Sequence, residues 1–520
     1  MNRLRLAALT AVSLTLSLAS SWAQDLKVLT GAVEHQIFQR SPQGRADLKL
    51  AGNAAVKFNG RYVEIRILKK DGAPLMDWNP SAEKIKVGKW LADLKGVPAG
   101  GPFKVEARVS GVPTSVQAID DLWVGDLWVL AGQSNMEGVG NLVDTQAPVE
   151  AVHTFDMADN WAIAQDPLHR LRSSADSVHW VKNEKGDAER WTVQREDEEL
   201  YNRRRKGAGL ALPFAVELYR RTGVPIGLVP CAHGGTSMDQ WSPAEKAKGG
   251  GSLYGATVRR IAAVGGKVKG VLWYQGESDA NDKAAGSFAT KFEALVAAFR
   301  ADAGQADLPF YYVQIGRFIN GGNGATWNQI QEAQRLAEAK IPNTGMVTAV
   351  DLTLDDLIHV STPDLKRLGR RMAMLAAHDL FPDVKESAGF KKGPRPVSAK
   401  VNGDSVTVKF SEINGQLISE GRISGFSIHD AKGDLIPMIY KARFDGNDTI
   451  QLDLCQAACR VDAALWCGQR SLLQRSRYER YGAARVRSAT DRSVNGPASE
   501  SIPIQAAGRE SAPGGLFPFR

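Results

Sequence analysis

One serine stands where an apolar run ends. The segment VLAGQSNMEG, 129–138, passes directly from a strand-like run into Gly-Gln-Ser-Asn-Met, with Ser134 between two amide side chains. A serine hydroxyl becomes a useful nucleophile when a neighbouring imidazole accepts its proton and an acid orients that imidazole. The same serine could instead cap a helix. The choice depends on whether a base and an acid occur elsewhere in the chain.

An acid and an imidazole follow a later apolar run. The segment TLDDLIHVST places Asp356 three residues before His359. One turn of chain can fold the carboxylate onto one ring nitrogen and leave the other nitrogen to face a serine. Asp351 and Asp355 are alternative acids with a less suitable spacing to the imidazole. Together with Ser134, the pair Asp356 and His359 predicts an acyl-transfer triad in the chain order Ser, Asp, His.

Two further polar sequences follow apolar runs and offer donors for an oxyanion. LVPCAHGGTSMDQW contains the pair Gly234-Gly235, and LWYQGESDAND contains Gln275. Acyl transfer needs preorganised donors at the attacked carbonyl, and glycine lets the backbone approach a ligand closely. We predict that the backbone N–H groups of Ser134 and Gly235 and the side-chain amide of Gln275 are these donors.

Neighbouring polar and aromatic side chains are candidates for contacts with the substrate. Gln133, Asn135 and Glu277 flank the predicted donors, and Trp241 suits stacking against a sugar ring. Aromatic residues beside buried strands are core residues at least as often. His233 either lines the same pocket or packs locally. We predict that Gln133, Asn135, Glu277 and Trp241 contact the substrate.

The apolar runs that precede these residues alternate with longer helical patterns. GDLWVLAG, VPIGLVPCA, VKGVLWYQG, PFYYVQIG and GMVTAVDL are typical of buried strands, and GLALPFAVELYRRTG is typical of an amphipathic helix. This alternation predicts an α/β fold over about 118–380, with a parallel sheet covered by helices on both faces. In such sheets, ligands bind at the carboxyl ends of the strands. The polar sequences would therefore share one crevice.

Short alternating runs with Gly and Pro turns occupy the regions on either side. They predict an N-terminal β-domain over 24–117 and a second, sandwich-like β-rich region over 390–468. The first residues, 1–23, carry Arg3 and Arg5 before an apolar run that ends in Ser-Trp-Ala. This pattern is typical of a bacterial secretory signal peptide. We therefore expect export to the periplasm or the medium, and no membrane attachment after cleavage.

Charge and cysteine content exclude several other classes of protein. Much of the net charge of +8 lies in an Arg-rich tail, 469–520, which we predict to be poorly ordered. No nucleic-acid module accompanies this charge, so we predict no nucleic-acid partner. Cys455, Cys459 and Cys467 could form one disulfide in an oxidising compartment, but no histidine stands near them. We predict no metal and no cofactor.

The four motifs GQSNMEG, PCAHGGTSMDQW, WYQGESDA and DDLIHVST together resemble the sialate O-acetylesterase-like branch of the SGNH (GDSL-type) hydrolases. That branch includes bacterial carbohydrate acetylesterases and acetylxylan esterases. The resemblance implies a three-layer α/β/α domain, with Ser134 as nucleophile, His359 as general base and Asp356 as the acid that orients it. It also implies a metal-independent serine esterase that removes O-acetyl groups from a carbohydrate through an acetyl-serine intermediate.

One block departs from the pattern of the wider superfamily, because residues 276–279 read Gly-Glu-Ser-Asp where Gly-x-Asn-Asp is usual. The third oxyanion donor is therefore open. Two other functions also fit the motifs. A lipid or aryl esterase on the same fold would have an apolar pocket and prefer longer acyl chains, and a non-catalytic carbohydrate-binding protein would bind glycans without releasing acetate. The acetylated glycan is not fixed by fold and triad.

Overall fold

The computed structural model describes residues 25–200, 205–319, 324–384, 389–419, 421–429 and 435–455, and the backbone of 486–488. The predicted signal peptide, Cys459 and Cys467 lie outside these residues, and so does the Arg-rich tail apart from 486–488. Cys231 is buried and Cys455 is exposed, and neither forms a disulfide with a described residue. Within the described part of the chain, no helix has both the length and the apolar character needed to cross a membrane.

The N-terminal region consists of strands around a hydrophobic core of its own. Its strands are β1 (Leu26–Thr30), β2 (Ile37–Gln39), β3 (Arg45–Ala54), β4 (Val63–Leu68), β5 (Pro74–Pro80), β6 (Lys89–Pro98) and β7 (Gly100–Val109). Every second residue of β3 is buried, because successive side chains of a strand point to opposite faces. Antiparallel pairing gives the orders β1-β3-β6 and β5-β4-β7.

Strands and helices alternate in the central region, as the apolar runs predict. The strands are β8 (Gln117–Gly132), β9 (Gly140–Asn141), β10 (Val152–Phe155), β11 (Trp161–Ile163), β12 (Val181–Lys182), β13 (Ala188–Glu189), β14 (Lys206–Ala208), β15 (Ile226–Pro230), β16 (Gly270–Tyr274), β17 (Phe310–Gln314) and β18 (Thr344–Thr348). The helices are α1 (Ser134–Glu137), α2 (Val193–Glu198), α3 (Ala211–Thr222), α4 (Leu253–Ala263), α5 (Phe288–Ala303), α6 (Ala325–Lys340) and α7 (Thr362–Leu380).

The central sheet is parallel in the order β10-β15-β8-β16-β17-β18, with β11 as an antiparallel edge strand. Helix α3 packs against α7, and α5 packs against α4 and α6. The α/β fold class predicted from the sequence is confirmed. The carboxyl ends of β8, β15 and β16 are neighbours, so the polar sequences that follow these strands meet at one edge of the sheet.

Strand β8 belongs to both regions. Its first part pairs with β7 and, over residues 123–125, with β2. Its second part pairs in parallel with β15 and β16. Residues 122–132 are buried without interruption, as expected for a strand covered on both faces. The boundary predicted at 117/118 therefore falls at the beginning of a strand that the two regions share.

The end of β8 requires a glycine. Gly132 has a φ of +133°, and a Cβ on this residue would lie 2.2 Å from the carbonyl oxygen of Tyr274 on β16. Only glycine accepts both this backbone conformation and this close approach. The chain can therefore leave the sheet directly beside β16.

The C-terminal region is again built from β-strands. They are β19 (Arg395–Asn402), β20 (Ser405–Ser411), β21 (Leu417–Ser419), β22 (Ile428–His429), β23 (Leu435–Ile436), β24 (Ile439–Phe444), β25 (Thr449–Leu454) and β26 (Val486–Ser488). Strands β19, β20, β25 and β24 form an antiparallel sheet with its own core. Strand β26, in the Arg-rich tail, pairs with β21.

Candidate active site

The hydroxyl of Ser134 lies at the carboxyl end of β8, with Oγ 3.0 Å from Nε2 of His359. Ser134 is the first residue of α1, and the N-cap is Gln133. The serine is therefore not the helix cap that the sequence left as an alternative. N–H groups in the first turn of a helix have no acceptor within the helix, so the Ser134 N–H can serve a ligand.

His359 and Asp356 share a short loop between β18 and α7. Nδ1 of His359 lies 2.7 Å from Oδ2 of Asp356. The other carboxylate oxygen accepts the backbone N–H groups of Ile358 and His359, at 2.9 and 2.8 Å. One carboxylate therefore holds both the loop and the imidazole, and Nε2 remains for the serine. This is the geometry that the Asp-x-x-His spacing predicts.

The electrostatic balance at Asp356 favours its ionised form. Partial burial raises the pKa of the carboxyl, but the hydrogen bonds from the Ile358 N–H and from His359 lower it by more, and the net pKa lies below its usual value. A carboxylate beside the imidazole stabilises the imidazolium that forms when His359 accepts the serine proton.

The two alternative acids have other partners. Oxygens of Asp351 lie 2.5–2.7 Å from guanidinium nitrogens of Arg367 and Arg371. Oδ2 of Asp355 accepts the Asn141 N–H at 3.2 Å. The acid that contacts the imidazole is Asp356.

The glycine pair lies beside the serine. The Gly234 N–H donates to Oε2 of Glu137 at 2.7 Å. A Cβ on Gly234 would lie 2.9 Å from the same oxygen and 3.4 Å from Cβ of Ser134, so only glycine fits without displacing them. Gly235 has a φ of +70°, and no acceptor for its N–H lies among the described residues. The donor predicted at Gly235 is therefore available next to the nucleophile.

Gln275 does not take the place predicted for it. The residue is fully buried, and its Nε2 donates to the Thr236 carbonyl at 3.1 Å and to Oδ2 of Asp279 at 2.5 Å. An amide nitrogen has two hydrogens, so none remains for an oxyanion. The prediction of Gln275 as an oxyanion donor is wrong, because its side chain ties the end of β16 to the glycine loop.

Asn135 is also committed to the protein. Its Nδ2 donates to Oε1 of Glu277 at 2.8 Å and approaches the Ile358 carbonyl at 3.4 Å, while Oδ1 accepts the Val360 N–H at 3.0 Å. The side chain is 1% exposed. The prediction that Asn135 contacts substrate is wrong, because its amide joins the nucleophile segment to the histidine loop.

Gln133 and Glu277 retain polar atoms near the site. Oε1 of Gln133 accepts the N–H groups of Gly276 and Ser278, at 3.4 and 3.2 Å. Burial raises the pKa of Glu277 to about 7, against the lowering effect of the Asn135 hydrogen bond. Oε2 of Glu277 has no hydrogen-bond partner among the residues described. Both residues remain predictions as substrate contacts.

Trp241 is a core residue. It is fully buried, its Nε1 donates to Oγ1 of Thr236 at 3.0 Å, and its ring packs edge-on against Trp273 with centroids 5.1 Å apart. No face of the indole is open to a sugar. The prediction of Trp241 as a stacking platform is wrong, because the turn after the glycine pair carries it into the interior.

A cavity of about 250 Å³ opens beside Gly234 and Glu137. Three histidines line it, His169, His179 and His233, and the Nδ1 atoms of His179 and His233 are 3.1 Å apart. Burial lowers the pKa of all three imidazoles, that of His169 to about 3, so they are neutral at physiological pH. His233 could be noticed because it adjoins the glycine pair. His169 lies in a loop and His179 ends the 3₁₀ helix Ser177–His179, and neither belongs to a sequence motif.

Residues 124–378 match the family model described as "Carbohydrate esterase, sialic acid-specific acetylesterase". A probable carbohydrate esterase of Arabidopsis thaliana is 31% identical over 268 residues, which cover 48% of this chain and 88% of that protein. The sialate O-acetylesterase of Homo sapiens is 24% identical over 296 residues, which cover 51% of this chain but only 54% of the human protein. The chain belongs to the sialic acid-specific acetylesterase family of carbohydrate esterases, as its four motifs predict.

The fold has a counterpart among solved structures. A carbohydrate acetylesterase from Xanthomonas citri aligns with a TM-score of 0.56 at 22% identity, covering 88% of this chain and 100% of that one. At this identity the likeness shows the fold. It extends beyond the matched family region into the β-strand regions.

Proposed function

We propose that the protein is an exported serine esterase that removes O-acetyl groups from a carbohydrate by transferring the acetyl group to Ser134. The observation that carries the proposal is the continuous chain of contacts from Ser134 Oγ through His359 to Asp356, at 3.0 and 2.7 Å. A serine, an imidazole and a carboxylate in this order are the apparatus of acyl transfer. Membership of the carbohydrate esterase family supports the substrate class.

Each proton has a place in this reaction. Ser134 Oγ attacks the acetyl carbonyl while His359 Nε2 accepts the hydroxyl proton. The carbonyl oxygen gains charge, and the N–H groups of Ser134 and Gly235 are the proposed donors to it. The sugar oxygen then leaves with the proton from His359, and the acetyl group stays on the serine. Water then gives a proton to His359 and attacks the acetyl-serine, and acetate is released as His359 returns that proton to Ser134 Oγ.

The cavity beside Gly234 is the proposed place for the sugar. Arg172 and Lys206 line it together with Glu137, Glu196 and the neutral histidines, so the wall offers charges of both signs and polar groups to the hydroxyl groups of a sugar. O-acetylated sialic acids are one candidate, since the human relative is a sialate O-acetylesterase. Acetylated xylan is the other candidate we would test.

The test is acetate release from O-acetylated sialic acids and from acetylated xylo-oligosaccharides. Ser134→Ala should abolish release, while Ser237→Ala, a serine in the neighbouring glycine loop, should leave it within about twofold, since surface substitutions away from the reacting groups have small effects. A Ser134→Ala protein that still releases acetate would contradict the proposal. Faster cleavage of long-chain acyl esters than of acetates would instead indicate a lipid or aryl esterase.

The intermediate has its own test. An aryl acetate should give a burst of the phenol equal to the enzyme concentration if deacylation is slower than acylation. Mass spectrometry of the quenched enzyme should then find the acetyl group on the peptide that contains Ser134. Acetylation of another residue would refute this nucleophile.

Export is proposed from the basic and apolar pattern of residues 1–23. The test is to express the full chain in a bacterium and determine the N-terminal residue of the protein in the periplasmic and culture fractions. Cleavage near Ala23 is expected. A protein that stays in the cytoplasm with residues 1–23 intact would contradict export.

A further inference from the structure

Three metal-ligating side chains meet far from the serine, where the N-terminal region contacts the central sheet. His35 precedes β2, Asp121 lies in the first part of β8, and His153 lies in β10. One donor atom from each side chain lies within 4.8 Å of the donors of the other two. His35 and Asp121 are 86 positions apart in the sequence, and His35 and His153 are 118 apart, so no local motif announces the cluster.

The contacts of His153 leave one acceptor opposite another. The imidazole is fully buried, with Nε2 2.8 Å from the carbonyl oxygen of Glu150 and Nδ1 against the carbonyl oxygen of His35. A neutral imidazole carries one N–H and one lone pair. If the N–H serves Glu150, the lone pair on Nδ1 faces an oxygen that also can only accept. A cation bound at Nδ1 would use this lone pair.

The other two side chains contact each other through the proposed ligand atoms, Nδ1 of His35 and Oδ2 of Asp121. The remaining oxygen of Asp121, Oδ1, accepts the Nε1–H of Trp123 at 2.8 Å. Metal ligands characteristically have such a partner on a remaining polar atom, which fixes their orientation. Both His35 and Asp121 have left-handed backbone, with φ of +66° and +55°, a conformation that few residues other than glycine adopt.

We propose that His35, Asp121 and His153 bind a Zn²⁺ ion, through Nδ1 of each histidine and Oδ2 of the aspartate. Two imidazole nitrogens and one carboxylate oxygen are ligands that zinc prefers, and the fourth tetrahedral position can hold water. The side chains of His35 and Asp121 are 32% and 22% exposed, which leaves the ion a path from solvent. The ion would link β2, β8 and β10, and it takes no part in the ester hydrolysis proposed above.

The experiment uses the full chain without a histidine tag, stripped with a chelator and titrated with ZnCl₂ by calorimetry. His35→Ala and Asp121→Asn each remove one ligand, and the asparagine keeps the size of the side chain and an acceptor for Trp123. The matched control is His378→Ala, because Nε2 of His378 also lies near an aspartate, 3.9 Å from Asp379, and the side chain is 35% exposed.

Wild type and His378→Ala should bind one Zn²⁺ per chain, retain it on dialysis, and unfold at a higher temperature with zinc than without. In His35→Ala and Asp121→Asn, the affinity should fall by at least about tenfold, and the thermal shift should be lost. If His35→Ala does not fold, the zinc affinity and thermal shift of Asp121→Asn test the proposal. Equal zinc binding by wild type and Asp121→Asn, or no binding by wild type, would overturn the proposal.

Discussion

Asn135 and Val360 are 225 positions apart in the sequence, yet Oδ1 of Asn135 accepts the Val360 N–H at 3.0 Å. This hydrogen bond fixes the histidine loop to the segment that carries Ser134. Because Nδ2 of the same amide donates to Glu277, one side chain joins the three loops that surround the nucleophile. The separation of Ser134 from His359 is therefore set by a residue that, on the proposed mechanism, does not touch substrate.

Replacing Asn135 with alanine should loosen this arrangement. We expect kcat to fall by about 10–100-fold with KM within about threefold, since a displacement of about 1 Å is enough for such a loss. The free energy of unfolding should fall by about 1–3 kcal/mol, because a buried N–H loses its partner. Asn53→Ala, at an exposed position of β3, is the control for both steady-state kinetics and urea unfolding. An unchanged kcat in Asn135→Ala would contradict the positioning role.

Adjacent aspartates provide a matched test of the triad acid. Asp356→Asn keeps the size of the side chain but removes the charge that favours the imidazolium, so kcat should fall by about 10³–10⁴-fold. Asp355→Asn should stay within about threefold of wild type, since its carboxylate contacts the Asn141 N–H. Hydrolysis of an aryl acetate measures both. A larger loss of kcat in Asp355→Asn than in Asp356→Asn would show that Asp355, and not Asp356, is the acid.

The two neighbouring glycines should respond differently to an added methyl group. A Cβ on Gly234 meets Glu137 at 2.9 Å and Ser134 at 3.4 Å, whereas a Cβ on Gly235 meets no atom within 4 Å. We expect Gly234→Ala to lower kcat at least about tenfold through displacement of the nucleophile. Gly235→Ala keeps its N–H and should cost about 1 kcal/mol of stability for its positive φ, with little change in kcat. Equal losses of kcat in the two variants would contradict this explanation.

Glu277 should make stability depend on pH. Burial raises its pKa from 4.5 to about 7, so between these values the folded state holds a proton that the unfolded state has released. The stability contributed by Glu277 is full below about pH 4.5 and is lost as the pH rises through about 7. The loss is about 3 kcal/mol, at 1.36 kcal/mol for each pKa unit.

Glu277→Gln removes this titration and keeps an acceptor for Asn135. The difference in unfolding free energy between variant and wild type should therefore increase, in favour of the variant, from about pH 4.5 to about pH 7. Urea unfolding across this range measures it, and subtraction of the two curves cancels the buried carboxyls that do not interact with Glu277, such as Asp166. A difference that is constant with pH would show that Glu277 does not titrate in this range.

The proposed triad was accessible from the sequence because its signals are local. Ser134 follows a buried strand, and Asp356 and His359 lie within one turn of chain, so no tertiary information was needed to pair them. Parallel strands then bring the two pieces to one edge of the sheet, as a general rule of such folds. Ser134 and His359 meet there at 3.0 Å.

The errors concern residues whose partners are set by the folded chain and not by a sequence motif. The amide of Gln275 stands at a strand end, as an oxyanion donor could, but Thr236 and Asp279 take both its hydrogens. Trp241 follows a polar loop, yet the chain turns inward and buries it. Polarity and position along the chain show that a side chain is able to contact a ligand. Only the folded structure shows that neighbouring residues already occupy its hydrogen bonds or its faces.

Strand β8 connects the N-terminal region directly to the segment that carries Ser134. Its backbone runs without a linker from the pairing with β7 to Gly132, two residues before Ser134. A displacement of the N-terminal strands would therefore be passed along β8 toward Ser134. Cutting the gene near residue 117 to express the hydrolase part alone would remove β2 and β7 from the first part of β8 and expose its buried residues 122–125, while the pairing of the second part with β15 and β16 would remain.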